Sequence, residues 1–208
     1  VAIISNAVTM ADAGAFSVSL GSMTLIKTII ANDSDNVTFV HGTSSVVIDN
    51  TFPIYLVKVI SAHVDSSGSG EYLRYNFRDG GSAYDAVKTS VGFRAIHTEN
   101  DNTATLGMSG QVNQEAGFFN FTNNGISVDN DQNHSGELLL FNPSSTTFVK
   151  HFMGTSNVGP TETAGTTAYY HDGYCNTTAA IDGIQFSCTG SGSKIGAGIF
   201  KLYGIKDS

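Results

Sequence analysis

The segment from Gly136 to Phe152, GELLLFNPSSTTFVKHF, decides the fold of this 208-residue chain. Two runs rich in Leu, Phe, Val and Thr flank the turn-forming sequence Asn142-Pro143-Ser144-Ser145. Proline presets φ for the second position of a type I turn, and Asn and Ser side chains bond back to nearby backbone. The pattern therefore predicts a β-hairpin with Leu138–Phe141 and Phe148–Phe152 as its strands. The first strand is apolar on both faces, which is typical of a strand buried inside a sandwich.

The rest of the chain has a similar pattern of short strands between turns rich in Gly, Asn and Ser, with no βαβ rhythm and no repeat. Residues 84–97 are ambiguous, because the first half allows a short helix while Val91–His97 favours a strand. Gly154–Thr167 is predicted to be an exposed loop. Other predicted strands are Thr24–Ile30, Val37–Val40, Val46–Ile48, Pro53–Ile60, Glu71–Arg78, Ala104–Met108, Gly117–Phe121, Gly125–Val128, Tyr169–Tyr174, Gly183–Cys188 and Ile195–Ile205. This series predicts an all-β fold, an antiparallel β-sandwich of jelly-roll type.

The amino-acid composition favours some classes of protein and argues against others. Hydrophobic residues make up 40% of the chain, enough for the core of one domain, while only 13% is charged. A surface of neutral polar groups favours packing against other subunits, since little charge must be desolvated. The net charge of −8 and the lack of a basic patch argue against nucleic-acid binding. No run of 18 apolar residues occurs, so we expect no membrane insertion.

Residues 1–22 differ from the main domain, residues 23–208, because they are rich in Ala, Ser, Gly and Val and lack the later turn signals. One interpretation is an ordinary first strand near Phe16–Leu20. The other is an N-terminal arm that docks on a neighbouring subunit, because such a segment buries little surface alone. The arm would make its contacts through Ile3, Ile4, Val8 and Phe16.

Motifs for chemistry are weak. There is no nucleophile elbow, phosphate loop, dinucleotide fingerprint or zinc spacing, so we expect no enzyme, no cofactor and no metal. Asp129–Asn133 resembles the start of a calcium loop, but His134 stands where an EF-hand needs Gly; a solvated turn or a loose calcium site remain as alternatives. Cys175 and Cys188 are too few for a disulfide-stapled secreted domain and favour a reducing compartment, although their pairing stays open.

A cluster of aromatic residues near the predicted loop is the best candidate for binding. Tyr169, Tyr170, His171 and Tyr174 could contact a glycan or a protein partner, since tyrosine rings stack on sugars. The alternative is that these side chains fill the core of the sandwich or a contact between subunits.

Three stretches carry a resemblance: Leu25–Thr28 (LIKT), the hairpin quoted above, and the ending Gly173–Lys206, with its I-x-F strand, Gly/Ser turn and terminal LYGI strand. Over about residues 23–206 the chain resembles small virion structural proteins of tailed bacteriophages, notably marine and cyanobacterial ones. The segment 1–22 before LIKT is a departure from them.

The resemblance implies a protein that folds in the cytoplasm of the bacterial host and works at the virion surface, with no catalytic residues to carry over. We expect an exterior head decoration or short fibre module that contacts capsid or tail proteins and forms a homo-oligomer, with three copies as the expected number. A tail-tip protein that binds a host-surface glycan is the alternative, and a free lectin is a second one.

Overall fold

The computed structural model describes residues 22–65, 70–125, 129, 131–159 and 165–206, together with the backbone of residues 3–5 and 8–11. All regular secondary structure in these ranges is β-strand. The strands are β1 Ile3–Ser5, β2 Val8–Ala11, β3 Met23–Ser34, β4 Val37–Val40, β5 Ile54–Asp65, β6 Leu73–Arg78, β7 Lys88–Thr98, β8 Ala104–Met108, β9 Val112–Glu115, β10 Phe119–Asn120, β11 Asn133–Phe141, β12 Lys150–Gly159, β13 Gly165–Cys175, β14 Gly183–Cys188 and β15 Lys194–Ile205.

The strands form two main sheets whose pairs are all antiparallel. The large sheet has nine strands in the order β3-β15-β5-β11-β12-β13-β7-β8, with β9 also paired to β7. The small sheet has four strands in the order β10-β6-β14-β4. Apolar side chains from both sheets share one buried cluster, so the predicted antiparallel β-sandwich is confirmed. Strands β1 and β2 form a separate two-stranded sheet.

The hairpin predicted from Gly136–Phe152 is present and longer than expected. Leu140 of β11 pairs with Phe152 of β12, and the pairing continues to Asn133 opposite Gly159. The Ser145 N–H donates to the Asn142 carbonyl at 3.1 Å, which puts Pro143 at the second position of the turn. Because β11 lies between β5 and β12, it is an interior strand of the large sheet, as predicted.

Two details of that hairpin differ from the prediction. Phe148 is not in a strand but lies in the connecting loop, where its side chain is 68% exposed. The apolar residues of β11 are not buried on both faces: Leu138 and Leu140 are fully buried, whereas Leu139 and Phe141 point the other way and are half-exposed. The side of β11 that carries Leu139 and Phe141 is therefore apolar but is not packed against the small sheet.

The core is centred on Tyr75 of β6. Its ring lies 5.4 to 6.3 Å, between centroids, from six other aromatic rings, mostly edge-on, as aromatic clusters prefer. These rings come from both sheets and belong to Phe77, Phe119, Phe121, Phe152, His171 and Phe186. The strand predicted at Glu71–Arg78 is present from Leu73 onward, and its Leu73, Tyr75 and Phe77 all point into this core.

The predicted loop Gly154–Thr167 is wrong at both ends, which belong to β12 and β13; residues 160–164 lie outside the described residues. Its Gly, Ser, Asn and Thr residues resemble loop composition, but they alternate between buried and outward positions along paired strands. On the outward side, Asn157 Nδ2 donates to Thr166 Oγ1 at 2.8 Å across the pair. Cross-strand hydrogen bonds of this kind allow small polar residues to form a sheet.

Other local predictions need correction as well. The helix considered for the first half of residues 84–97 is absent, because that half is irregular and β7 begins at Lys88. Residues 46–48 are buried but irregular, with the Ile48 N–H donating to His41 Nδ1 rather than to a strand. The predicted strands at 16–20 and 126–128 lie outside the described residues.

The boundary between residues 22 and 23 coincides with the start of β3 at Met23. Of the proposed arm contacts, Ile3, Ile4 and Val8 lie in the β1–β2 pair, and Phe16 lies outside the described residues. Their role in contacting a neighbour stays a prediction.

Candidate functional site

The side of the large sheet that points away from the small sheet is unusually apolar; we call it the outer face. Eleven large hydrophobic side chains of the described residues are exposed, and alternation and strand register place all of them except Phe148 on this face. They are Met23, Leu25, Ile30, Ile60, Val91, Phe93, Leu106, Met108, Met153 and Tyr170. Large exposed patches of this kind mark interaction sites in soluble proteins.

A groove of about 690 Å³ crosses the outer face over β12, β13 and β7. Its apolar walls are Val91, Phe141, Met153 and Tyr174, and Asp172 lies among them. A second depression of about 310 Å³ shares Met153 and Asp172 with the first; Glu137, Leu139, Phe93 and Tyr170 also line it. We call the two together the acidic groove.

One end of the acidic groove is an aromatic platform. The rings of Phe93 and Tyr170, opposite each other on β7 and β13, stack with centroids 5.0 Å apart and planes 11° from parallel. Both side chains remain exposed, by 43% and 44%. A flat pair of this kind presents a surface on which an aromatic side chain or a sugar ring can pack.

Asp172 is the unusual polar group of the groove. On the neighbouring strands it is paired with Met153 on one side and Val91 on the other. The partial burial that these neighbours cause raises the pKa of the Asp172 carboxyl above its ordinary value. Asp172 is exposed, and no described residue forms a hydrogen bond or ion pair with it.

The opposite half of the outer face carries positive charge. Lys201 of β15 lies directly opposite Lys58 of β5, and we call this pair the basic strip. Lys58 also faces Glu137 of β11, with 3.9 Å between Nζ and Oε2. Like charges opposite each other in a sheet are destabilising, and the one exposed carboxylate of Glu137 compensates the two lysines only in part.

The small sheet has a different exterior. Its outward side chains are polar and bonded to one another: Arg74 Nε donates to Ser187 Oγ at 3.1 Å, and Gln185 Nε2 donates to Thr38 Oγ1 at 3.2 Å. Hydrogen bonds of this sort suit a surface in contact with water. The two exteriors of the sandwich therefore differ. The exterior of the small sheet is polar, whereas the outer face of the large sheet exposes apolar side chains to solvent.

The residues predicted for binding divide by strand alternation. Tyr170 and Tyr174 point outward and belong to the acidic groove, whereas Tyr169 and His171 point inward and are buried among aromatic rings. The prediction that Tyr169 and His171 contact a ligand is therefore wrong. Successive side chains of a strand leave opposite sides of the sheet, so four neighbouring residues could not all serve one surface.

Sequence reasoning missed Val91, Phe93, Met153 and Asp172. The three apolar residues could have been found from the sequence, because β7 and β12 carry large apolar residues at alternate positions that point to the solvent side of the sheet. A strand that is apolar on the uncovered side indicates a surface that is covered by something else.

Two hydrogen bonds lie in the described part of the turn near Asp129. The Gln132 N–H donates to the Asp129 carbonyl at 2.9 Å, and Asn133 Nδ2 donates to the Asp131 carbonyl at 3.3 Å. In the described ranges no three His, Cys, Asp or Glu side chains are grouped so that they could hold a metal ion. Cys175 and Cys188 are free thiols, buried in different sheets.

Across the described residues, no helix has the length and hydrophobicity to cross a membrane. Comparisons with protein-family models, with curated proteins and with solved structures each found no match for this chain.

Proposed function

We propose that this protein is a structural subunit of a tailed-phage virion, an exterior head decoration or short fibre module that assembles through contacts between subunits. The observation that carries the proposal is the outer face of the large sheet, where apolar side chains and the acidic groove lie uncovered. At about 25 cal/mol per Å² of apolar area removed from water, covering such a face is strongly favourable. A building block in a particle gains that free energy from its neighbours.

The strand order supports the proposal. Four strands of the large sheet run β3-β15-β5-β11, and the small sheet runs β4-β14-β6-β10. Except for two insertions, β7–β9 and β12–β13, each strand is followed by a strand of the other sheet. This is the order that a jelly roll of eight strands gives, and jelly rolls are frequent in viral capsid and lectin domains. We infer a jelly roll extended on one side by the insertions.

The N-terminal segment supports an attachment role. Strands β1 and β2 pair only with each other among the described strands, and an isolated two-stranded hairpin is marginally stable in water. We therefore propose that residues 1–22 dock on another virion protein or on a neighbouring copy, with a homotrimer as the expected assembly. Folding in the bacterial cytoplasm agrees with the two buried free thiols.

Self-assembly is tested by measuring the molar mass of the purified chain with light scattering after size exclusion. We expect an oligomer for the wild type and a monomer for Met153→Lys or Phe93→Asp, since each places a charge in the covered apolar face. Phe148→Asp is the matched control, because Phe148 is exposed but lies off the face. A wild-type chain that stays monomeric at high concentration contradicts the self-assembly.

A phage setting is tested separately, by mass spectrometry of purified particles and by cryo-electron microscopy of their surface. We expect to find the chain in purified particles, in a fixed number of copies on the outside of the head or on a short fibre. Finding the chain only in the lysate, with none in particles, contradicts it.

The second candidate is a receptor-binding protein that recognises a host-surface glycan. The observation that favours it is the stacked pair of Phe93 and Tyr170 beside Asp172, which combines a platform for a sugar ring with a hydrogen-bond acceptor. Glycan-array binding that Tyr170→Ala abolishes, by a chain that remains monomeric, favours this function over assembly.

A further inference from the structure

We propose that a second copy of this chain occupies the acidic groove and that it docks with its basic strip. This inference rests on the proposed function and names the partner surface for the same face. Two solvent-accessible charges of the outer face have no ion pair among the described residues, Asp172 on one half and Lys201 on the other.

The two charges cannot compensate each other within one chain. Strands β15 and β13 are separated by β5, β11 and β12, so four strand spacings lie between Lys201 and Asp172, about 19 Å in all. Lys201 has no ion pair with any described residue, and the Lys58 beside it adds a like charge. Asp172 lies between Met153 and Val91, and none of the described residues donates a hydrogen bond to it.

Each half of the face therefore supplies what the other half lacks. The basic strip is bordered by apolar residues, with Ile60 and Tyr203 next to Lys58 and Lys201 on the same side of β5 and β15. The acidic groove offers apolar walls around the Asp172 carboxylate, and Glu137, at the edge of the groove, faces Lys58 of the same chain. A basic strip from a second copy would cover the groove with apolar side chains and place an ammonium group near the carboxylate.

Every copy carries both a basic strip and an acidic groove. The same contact can therefore join two copies reciprocally or several copies in a closed ring. A pair in which each copy gives its strip to the other satisfies both charges, and so does a closed ring. A partner of different composition would have to reproduce this pattern, whereas the chain already contains it. Charge complementarity of this kind fixes register and partner choice more than raw affinity.

The test is charge reversal in the full chain, read out by sedimentation equilibrium. Asp172→Lys and Lys201→Glu each place like charges in the contact, and we expect each to weaken self-association at least about tenfold. The double variant, Asp172→Lys with Lys201→Glu, reverses both halves and should restore association close to the wild-type level. Asp35→Lys, in the exposed turn between β3 and β4, makes the same change of net charge as Asp172→Lys and is its control.

Each outcome separates this inference from the proposed function. If both single variants associate like the wild type while Met153→Lys abolishes association, the subunits meet in another register and the inference is wrong, although assembly through the face stands. If the double variant is weaker than either single variant, the two side chains do not meet across copies. Unchanged circular dichroism in all variants excludes misfolding as the cause.

Discussion

The hydroxyl group of Tyr75 lies 3.1 Å from Nδ1 of His171, and among the described residues this is the hydrogen bond that the imidazole has. The other ring nitrogen, Nε2, is buried without a partner. Tyr169 stacks on the ring and Phe119 and Phe121 meet it edge-on. Burial in this aromatic environment disfavours the imidazolium and lowers the pKa of His171 to about 3.

His134 of β11 is in a similar position at a different place in the core. Both of its ring nitrogens are buried without a hydrogen-bond partner in the described part of the chain. Burial, with a smaller contribution from the nearby His63, lowers the pKa of His134 to about 3. The two histidines thus fold in their neutral forms, although in the unfolded chain they would titrate near 6.5.

We predict that the fold loses stability as the pH falls below about 6.5. Between pH 6.5 and about 3 the unfolded chain binds a proton at each histidine while the native chain does not, so the free energy of unfolding decreases as acid is added. At pH 5 each histidine lowers that free energy by about 2 kcal/mol relative to pH 7. Urea unfolding followed by tyrosine fluorescence at several pH values measures the slope.

His134→Phe is the informative variant, because it removes one titrating group and leaves no nitrogen unpaired. Its free energy of unfolding should depend on pH less steeply than that of the wild type, by about 1.4 kcal/mol per pH unit between pH 4 and 6. Carboxyl groups contribute alike to both proteins. An unchanged slope would mean that His134 is protonated in the native state.

Gly154 is predicted to tolerate no side chain. It lies on β12 opposite His171, and an added Cβ would overlap the imidazole ring, which the surrounding aromatic side chains hold in place. We expect Gly154→Ala to lower the free energy of unfolding by about 1–3 kcal/mol, the usual cost of overpacking. Gly107→Ala is the control, since a Cβ there meets nothing within 4 Å, and it should be neutral or slightly stabilising. Urea unfolding of the wild type and of both variants measures these free energies of unfolding.

The hairpin and the sandwich could be predicted from the sequence because local signals agreed. Asn142-Pro143 supplied the turn, and alternation in β6 put Leu73, Tyr75 and Phe77 on one side. The strand at Lys150 was placed too early, at Phe148, because an apolar residue in a loop reads like one in a strand. The ends of Gly154–Thr167 were missed because Gly and Ser can serve a sheet where a neighbouring ring fills the space.

The candidate site was harder to predict, because it depends on which strands become neighbours. Asp172 carries no signal of its own; it becomes unusual only when β12 and β7 place Met153 and Val91 beside it. The aromatic platform likewise joins Phe93 and Tyr170, which are far apart in sequence. Of the four residues in the predicted aromatic cluster, two are buried, because successive side chains of a strand point to opposite sides of the sheet.

The two thiols are predicted to be unreactive in the native protein. Cys175 lies on the large sheet and Cys188 on the small one, and burial raises the pKa of each thiol to about 12. Because the thiolate is the reactive form, Ellman's reagent should modify neither thiol at pH 8 and both after denaturation. Reaction of two thiols per chain with the reagent, seen only after the protein unfolds, would agree with this prediction. A denatured, non-reduced chain with no free thiol would show a disulfide instead.

Arg78 and Asp182 form the best ion pair of the small sheet and are expected to stabilise the fold measurably. Arg78 Nε and Nη2 donate to the two carboxylate oxygens at 2.7 and 2.8 Å, with the side chains only 17% and 32% exposed. The Asp182 N–H also donates to the Arg78 carbonyl, so the pair ties the end of β6 to the segment that enters β14. A bidentate, half-buried pair of this kind contributes more than an exposed one.

A double-mutant cycle with Arg78→Ala and Asp182→Ala should give a coupling free energy of about 1–2 kcal/mol in urea unfolding. The matched cycle uses Lys194→Ala and Asp33→Asn, whose pair is single, 3.2 Å long and 37% and 60% exposed. That cycle should give a clearly smaller coupling free energy, because solvent screens the charges and the lysine side chain must be ordered. Asn is chosen at position 33 because the residue has a positive φ of 50°, which Asn tolerates. Equal coupling in the two cycles would mean that bidentate geometry and partial burial add nothing at Arg78.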